Sequence, residues 1–302
     1  MRLGFVGDLM LVGSLSRRLA KGWDPFEKCA KLLKTFDSAI GNLEGPLTSA
    51  HSPTKLKSAE DVKAKKQYIL RGPPIGLRRL AEANIYTLTL GNNHSMDHGW
   101  EGLNDSLATM QRLNLRWSGA GQTISKARQG TVIDGEVAIL SYLAYRSWPA
   151  IQACGPASDS KPGIAYMPPL TPKGVNPKAL QWLKEDIESA GTERVIVAFH
   201  WGDEGATKPH PYQTQLAKAA IDRGAAAVIG HHPHVLQPTE RYKGRPIAYS
   251  LGNFVAARCQ GALGDTAILA LEFQDNGAIR ALWHPVRIVA GMPEPRGKAV
   301  VI

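Results

Sequence analysis

The chain has 302 residues, of which 43% are hydrophobic and 21% charged, with a formal net charge of +10. That length supports one large α/β domain or two small ones, with a buried core that needs neither disulfides nor an obligatory partner, and no apolar run reaches the ~18 to 20 residues of a membrane span. The excess of cations favours anionic ligands, but there is no nucleic-acid-binding module and no heptad repeat, so nucleic acid is not an expected partner.

The chain enters an apolar strand at Leu3 with no basic, apolar or cleavage segment before it, so a soluble, cytoplasmic protein is expected. Cys29, Cys154 and Cys259 are odd in number and scattered, which fits reduced thiols rather than a disulfide frame or a thiolate metal site. Short apolar runs rich in β-branched residues alternate with helical patterns, the order of an α/β fold with a largely buried sheet. Residues 3–7 are the first predicted strand. Asp8 follows at its carboxyl end, either reaching the mouth of the sheet or capping a helix. Residues 38–42 are the second strand, running into Leu43 and Glu44. The stretch 48–68 then breaks the pattern, with Lys55, Lys57, Lys63, Lys65 and Lys66 among few apolar residues, and reads as either a disordered segment or a binding loop.

Residues 85–90 are the third strand, followed by Gly91-Asn92-Asn93-His94 and Asp97. Leu103, Leu107 and Met110 recur at helical spacing as a core-facing stripe. An Asp134-Gly135 turn divides 131–140 into a hairpin, and Asn276-Gly277 does the same within 267–283. A second long loop, 146–177, carries Pro149, Pro156, Pro162, Pro168, Pro169, Pro172 and Pro177. At its end Asn176 and Pro177 start a helix expected to bury Leu180, Leu183 and Ile187. Strand 194–199 runs into His200, with Glu204 a helical turn further on; strand 226–229 leads to Gly230-His231-His232-Pro233-His234, and strand 247–250 to Asn253. No linker or internal repeat divides the chain, so 1–302 is expected to be one domain.

His94, His98, His200, His231, His232 and His234 fall in three strings, each just beyond a predicted strand. A single histidine there is ordinarily a satisfied core or surface residue. Three strings at the ends where open α/β sheets bind their ligands point instead to one centre. His232 and His234, two apart in an extended segment, would project to the same face. Carboxylate, amide oxygen and imidazole together suit one or two divalent ions of manganese, zinc or iron, with no thiolate placed to select a softer metal. A carboxylate such as Glu44 could bridge two ions ~3.5 to 4 Å apart, a separation that activates a shared water. The nucleophile elbow, the phosphate-binding loop and the dinucleotide fingerprint are all absent from the sequence.

The strings Gly7-Asp8-Leu9-Met10, Asn42-Leu43-Glu44, Gly91 to Gly99, Phe199 to Glu204, Gly230 to Pro238 and Tyr249 to Phe254 together resemble the poly-γ-glutamate capsule-synthesis (CapA-type) family of the calcineurin-like metallophosphoesterase superfamily. The resemblance implies an α/β four-layer sandwich of two mixed β-sheets flanked by helices, with a metal site at one edge. It also implies Asp8, Glu44, Asn93, His200, His232 and His234 as metal ligands, His94 as general acid or electrostatic stabiliser, and Asp97 as its orienter. Glu204, His231 and Asn253 are expected to contact substrate. Met10 stands where other members of the superfamily carry histidine; it either weakens one metal position or packs into the core behind the site. The activity implied is metal-dependent hydrolysis of an anionic small molecule, peptide or polymer, through a phosphoester or a γ-glutamyl or peptide amide. The alternatives are a non-catalytic polymer-handling component of capsule assembly and a metal-assisted proton-transfer enzyme such as a peptide epimerase.

Overall fold

The computed structural model describes residues 1–171, 174–257 and 259–302, so Pro172 of the proline-rich loop lies outside the described residues. From the N-terminus the chain forms β1 (Arg2–Leu9), α1 (Ser14–Ala20), α2 (Ala30–Leu33), β2 (Ser38–Leu43), α3 (Ala59–Lys63), α4 (Ile75–Glu82), β3 (Ile85–Thr89) and α5 (Gly99–Arg112). There follow β4 (Arg116–Ser118), β5 (Ala120–Gly121), α6 (Ile124–Arg128), β6 (Thr131–Ile133), β7 (Val137–Ala144), α7 (Trp148–Gln152), β8 (Gly163–Ile164) and α8 (Pro177–Glu188). The last third contributes β9 (Arg194–Trp201), α9 (Pro211–Asp222), β10 (Ala225–His231), β11 (Thr239–Tyr242), β12 (Arg245–Ala248) and β13 (Asn253–Val255). It ends in β14 (Asp265–Phe273), β15 (Ile279–Val289), β16 (Met292–Pro295) and β17 (Val300–Val301).

The first sheet runs β16-β15-β14-β1-β2-β3-β4, with β13 also paired to β1 and β17 to β15; the second runs β11-β12-β10-β9-β7-β6. Both are mixed. The strands β1 to β4 are parallel to one another, and β14 joins β1 antiparallel. In the second sheet β7, β9, β10 and β12 are parallel, with β6 and β11 antiparallel at the edges. Parallel strands covered on both faces read as continuous apolar runs, and β7 (VAILSYLA) is buried at every position. Phe5, Ile40 and Leu269 of the first sheet meet Ile139, Ile196 and Ile229 of the second in one inter-sheet core. The outer face of the first sheet is covered by α1, α2, α4 and α5 through Leu15, Leu33, Leu77 and Leu103. The second is covered by α8 and α9 through Leu183 and Leu216. This is the expected sandwich of helices, sheet, sheet and helices. Among the described residues no helix is long and apolar enough to cross a membrane.

Both expected hairpins form, β6 to β7 and β14 to β15. Among the described residues, both long loops contain secondary structure. Ser58 caps α3 by accepting the Asp61 amide, and β8 pairs with β5. The stripe of α8 differs from expectation: Ala179, Trp182, Leu183 and Ile187 are buried while Leu180 is half-buried, because the stripe follows 179, 183 and 187 at four-residue steps. The side chain of Asn176 accepts the Lys178 amide at 2.9 Å, as expected for a helix cap. Changing Asn176→Ala should therefore cost about 1 kcal/mol, read as a lower urea midpoint with an unchanged slope; an unchanged midpoint would show that the cap contributes nothing.

Candidate metal centre

The carboxyl ends of β1, β2 and β3 in one sheet and of β9 and β10 in the other converge on a single point. Two glycines allow this closeness. A side chain at Gly7 would place its Cβ 2.1 Å from the Gly252 carbonyl oxygen, and one at Gly230 would lie 1.9 Å from that of Tyr249. Asp8 leaves β1 fully buried. Its Oδ1 accepts the Asn42 amide at 2.8 Å, and its Oδ2 lies 3.1 Å from His234 Nδ1. Burial would raise this carboxyl, but hydrogen bonds and charge from His231 and His234 overcome it and hold Asp8 well below the usual carboxylate range.

Glu44, one residue past β2, has 0% exposure, and neither carboxylate oxygen has a hydrogen-bond partner among the described residues. Burial is the main reason its pKa rises to about 8, against the attraction of His234. Burial opposes protonation of His234 as well, yet Glu44 and Asp8 outweigh it and lift that imidazole to about 10. His232 moves the other way, to about 3, through burial and the His234 charge beside it, and His200 is lowered by burial and by His232. With its pKa raised to about 8, the buried Glu44 carboxyl favours its protonated form near neutral pH, and a buried acceptor without a hydrogen bond is costly unless a cation meets it.

Two trios could each hold a metal ion: Glu44, His232 and His234, and Asp8, Glu44 and His200, with the ligand atoms of each trio within 4.8 Å of one another. Glu44 belongs to both. Asn93 Oδ1 lies 2.8 Å from His200 Nε2. All six expected ligands are thus brought together, though by a different local route at the C-terminal string. His232 and His234 do not sit in extended backbone; they take φ of 97° and 59° on either side of Pro233, a turn that sets the His234 ring against Asp8 and Glu44 and brings a His232 ring nitrogen within 4.8 Å of Glu44. Positive φ outside glycine is uncommon and tends to be kept at functional sites.

His94 lies beside this cluster, its Nε2 3.9 Å from Glu44 Oε1 and its Nδ1 2.6 Å from Asp97 Oδ2. Asp97 is itself held by the Leu70 amide at 2.6 Å and by the Lys57 ammonium. Lys57 also reaches the Tyr68 carbonyl at 2.8 Å and is buried. Sequence spacing does not separate Lys57 from Lys55, so this inward-pointing lysine is visible only in the structure. The same holds for Tyr145, whose hydroxyl is 3.3 Å from His232 Nε2, and for Asn92, which donates to Asn42 Oδ1 at 3.0 Å and accepts the His94 amide at 3.0 Å. Asn92 and Asn42 form an amide relay that ends on Asp8.

A cavity of about 350 Å³ opens beside the centre, lined by Lys57, His94, Tyr145, Arg146, Glu204 and His232 among others. Of the three expected substrate contacts, only Glu204 faces it. His231 is buried with Nδ1 3.2 Å from Asp8 Oδ1, and Asn253 donates to the His234 carbonyl at 3.1 Å, so both brace candidate ligands from behind. His231 is the last residue of β10 and Asn253 the first of β13, so both are held within the sheets. Met10 is half-buried, and its amide donates to the Val255 carbonyl at 2.7 Å, so it is not a fully packed core residue.

The fold and the site define a two-sheet α/β sandwich with histidines and carboxylates gathered at its strand ends. The family described as bacterial capsule synthesis protein PGA_cap matches residues 2–258, and the chain belongs to that family. It is 30% identical over 295 residues to the capsule biosynthesis protein CapA of Bacillus anthracis, covering 96% of this chain and 68% of that one. It is likewise 30% identical to the PGA biosynthesis protein CapA of Bacillus subtilis (strain 168), covering 96% and 72%. A probable polyglutamine synthesis accessory protein of Mycobacterium tuberculosis is 28% identical over 200 residues, covering 63% of this chain and 50% of that one.

Proposed function

We propose that the chain is a metal-dependent hydrolase acting on an anionic substrate, through a phosphoester or a γ-glutamyl or peptide amide, in capsule or polyglutamate metabolism. The observation that carries this reading is Glu44: a fully buried carboxylate, both oxygens without hydrogen-bond partners among the described residues, shared by two candidate ligand trios. Asp8, Glu44, Asn93, His200, His232 and His234 fit a divalent ion of manganese, zinc or iron in donor type and closeness. Such an ion, when bound, polarises a substrate oxygen and makes water a better nucleophile near neutral pH.

The chain's own residues supply the rest. With its Nδ1–H donated to Asp97, His94 presents Nε2 on the cavity side, where it can exchange a proton with the leaving group or with a developing oxyanion. Asp97 fixes the tautomer and ring angle, and Lys57 neutralises Asp97 so that the buried carboxylate does not stand unpaired. Lys66 and Arg146 on the cavity wall give an anionic substrate its electrostatic partners. The capsule, PGA and polyglutamine wording of the relatives' names supports a polymer or its fragments as substrate.

The test is to load purified protein separately with manganese, zinc and iron, count bound ions by elemental analysis, and follow bis(p-nitrophenyl) phosphate and a γ-glutamyl oligomer. Metal retention with cleavage of one substrate class is expected, together with a rise in thermal midpoint equivalent to about 2.7 kcal/mol at metal a hundredfold above its Kd. The Glu44→Gln protein should lose both. Tight metal retention with neither substrate cleaved would overturn the hydrolase in favour of a polymer-handling component.

A further inference from the structure

A second cleft lies between α5, β4 and α6, and it shares no residue with the cavity at the metal centre. We propose that it binds the pyranose rings of a neutral glycan, independently of the reaction at the metal centre.

The cleft measures about 500 Å³, within the roughly 300 to 1,000 Å³ of small-molecule sites. Trp100 and Trp117 both line it. Both are half-buried and lean on the core under the first sheet, which fixes their ring planes, while the remainder of each ring lines the cleft. Neither indole N–H donates to another described residue. Around the two rings stand the side-chain carboxamides of Asn104, Gln111 and Gln122, all exposed and all without a side-chain hydrogen bond among the described residues. The only charged lining group is Lys126, whose Nζ is 3.3 Å from Gln129 Oε1.

This combination selects among ligand chemistries. A flat indole offers a large apolar surface with a polar edge, complementary to the C–H face of a sugar ring. A carboxamide offers a donor pair and an acceptor in one plane, complementary to neighbouring hydroxyls. A wholly apolar ligand would strip water from three carboxamides and two indole N–H groups and return nothing, which is unfavourable for each group. A nucleotide or other polyanion would find a single cation. In a chain of net charge +10, a cleft with one lysine and no acid is a local exception to the surface around it. Neutral hydroxyl-rich rings are the ligand that uses both the indoles and the amides.

The probes are cellobiose and N,N′-diacetylchitobiose with their tetramers, offered to the full chain and followed by saturation-transfer NMR and by tryptophan fluorescence. Saturable binding is expected. Gln122→Ala removes one carboxamide and Ala108→Arg fills the cleft from an exposed helical position, so each should weaken binding about tenfold while metal-dependent turnover stays at wild-type level. Affinity that climbs from dimer to tetramer would mark an extended chain crossing the cleft, and equal affinities a glycan end or free sugar; either upholds the site. No saturable response to any of the four sugars would overturn the proposal. So would binding untouched by both variants, or tighter binding of AMP or a dipeptide than of the sugars.

Discussion

Lys57→Met should destabilise the protein by about 3 to 5 kcal/mol, the usual cost of removing one partner of a buried ion pair. Lys57 is 8% exposed and Asp97 1%, so little solvent screens their contact. Without the ammonium, Asp97 keeps the Leu70 amide and the His94 ring, but its charge has no full counterpart. The long loop 48–68 loses its inward anchor at the same time, because the Lys57 bond to the Tyr68 carbonyl ties the two ends of the lysine-rich stretch together. Urea unfolding measures the loss, and a change below about 1 kcal/mol would place the pair among weak surface contacts. The double variant Lys57→Met with Asp97→Leu should recover part of the loss, because apolar replacements of similar size remove both buried charges together.

Replacing His94 by alanine should lower turnover by about 10² to 10⁴ while metal content stays near wild type, the range for loss of a positioned acid or base. The separation of the two readouts follows from position. His94 is outside both ligand trios, and its Nε2 stands 3.9 Å from Glu44 Oε1 on the cavity side. His94→Gln keeps a polar group of comparable length and should hold metal equally well without restoring turnover. Loss of metal in step with activity would make His94 a ligand and remove it from the proton-handling role.

The α/β character could be read from the sequence because buried parallel strands are largely apolar, as in β1, β9 and β10, while the two packed sheets came only with the family resemblance. That Asp8, Glu44, Asn93, His200, His232 and His234 lie at strand carboxyl ends was also legible, since each follows a predicted strand, but their division between two facing sheets was not. What could not be read is direction over a few residues. His231 and His232 are neighbours of the same type, and only the turn around Pro233 decides which faces the cavity and which braces Asp8. Lys57 is one lysine among several in a polar loop, and its burial depends on Asp97, forty residues away in the chain. Leu180 shows the same limit in a helix, where a shift of one residue along the stripe exchanges a core contact for the rim.

The candidate ligand set is divided between two sheets. Asp8, Glu44 and Asn93 arrive on the first, and His200, His232 and His234 on the second, while Ile139, Ile229 and Leu269 fill the layer between them. A cation gripped by both groups would act as a rivet through the sandwich, and its grip would register how closely the two halves are docked. Thinning that middle layer, well away from any donor atom, would loosen the rivet as surely as trimming a ligand.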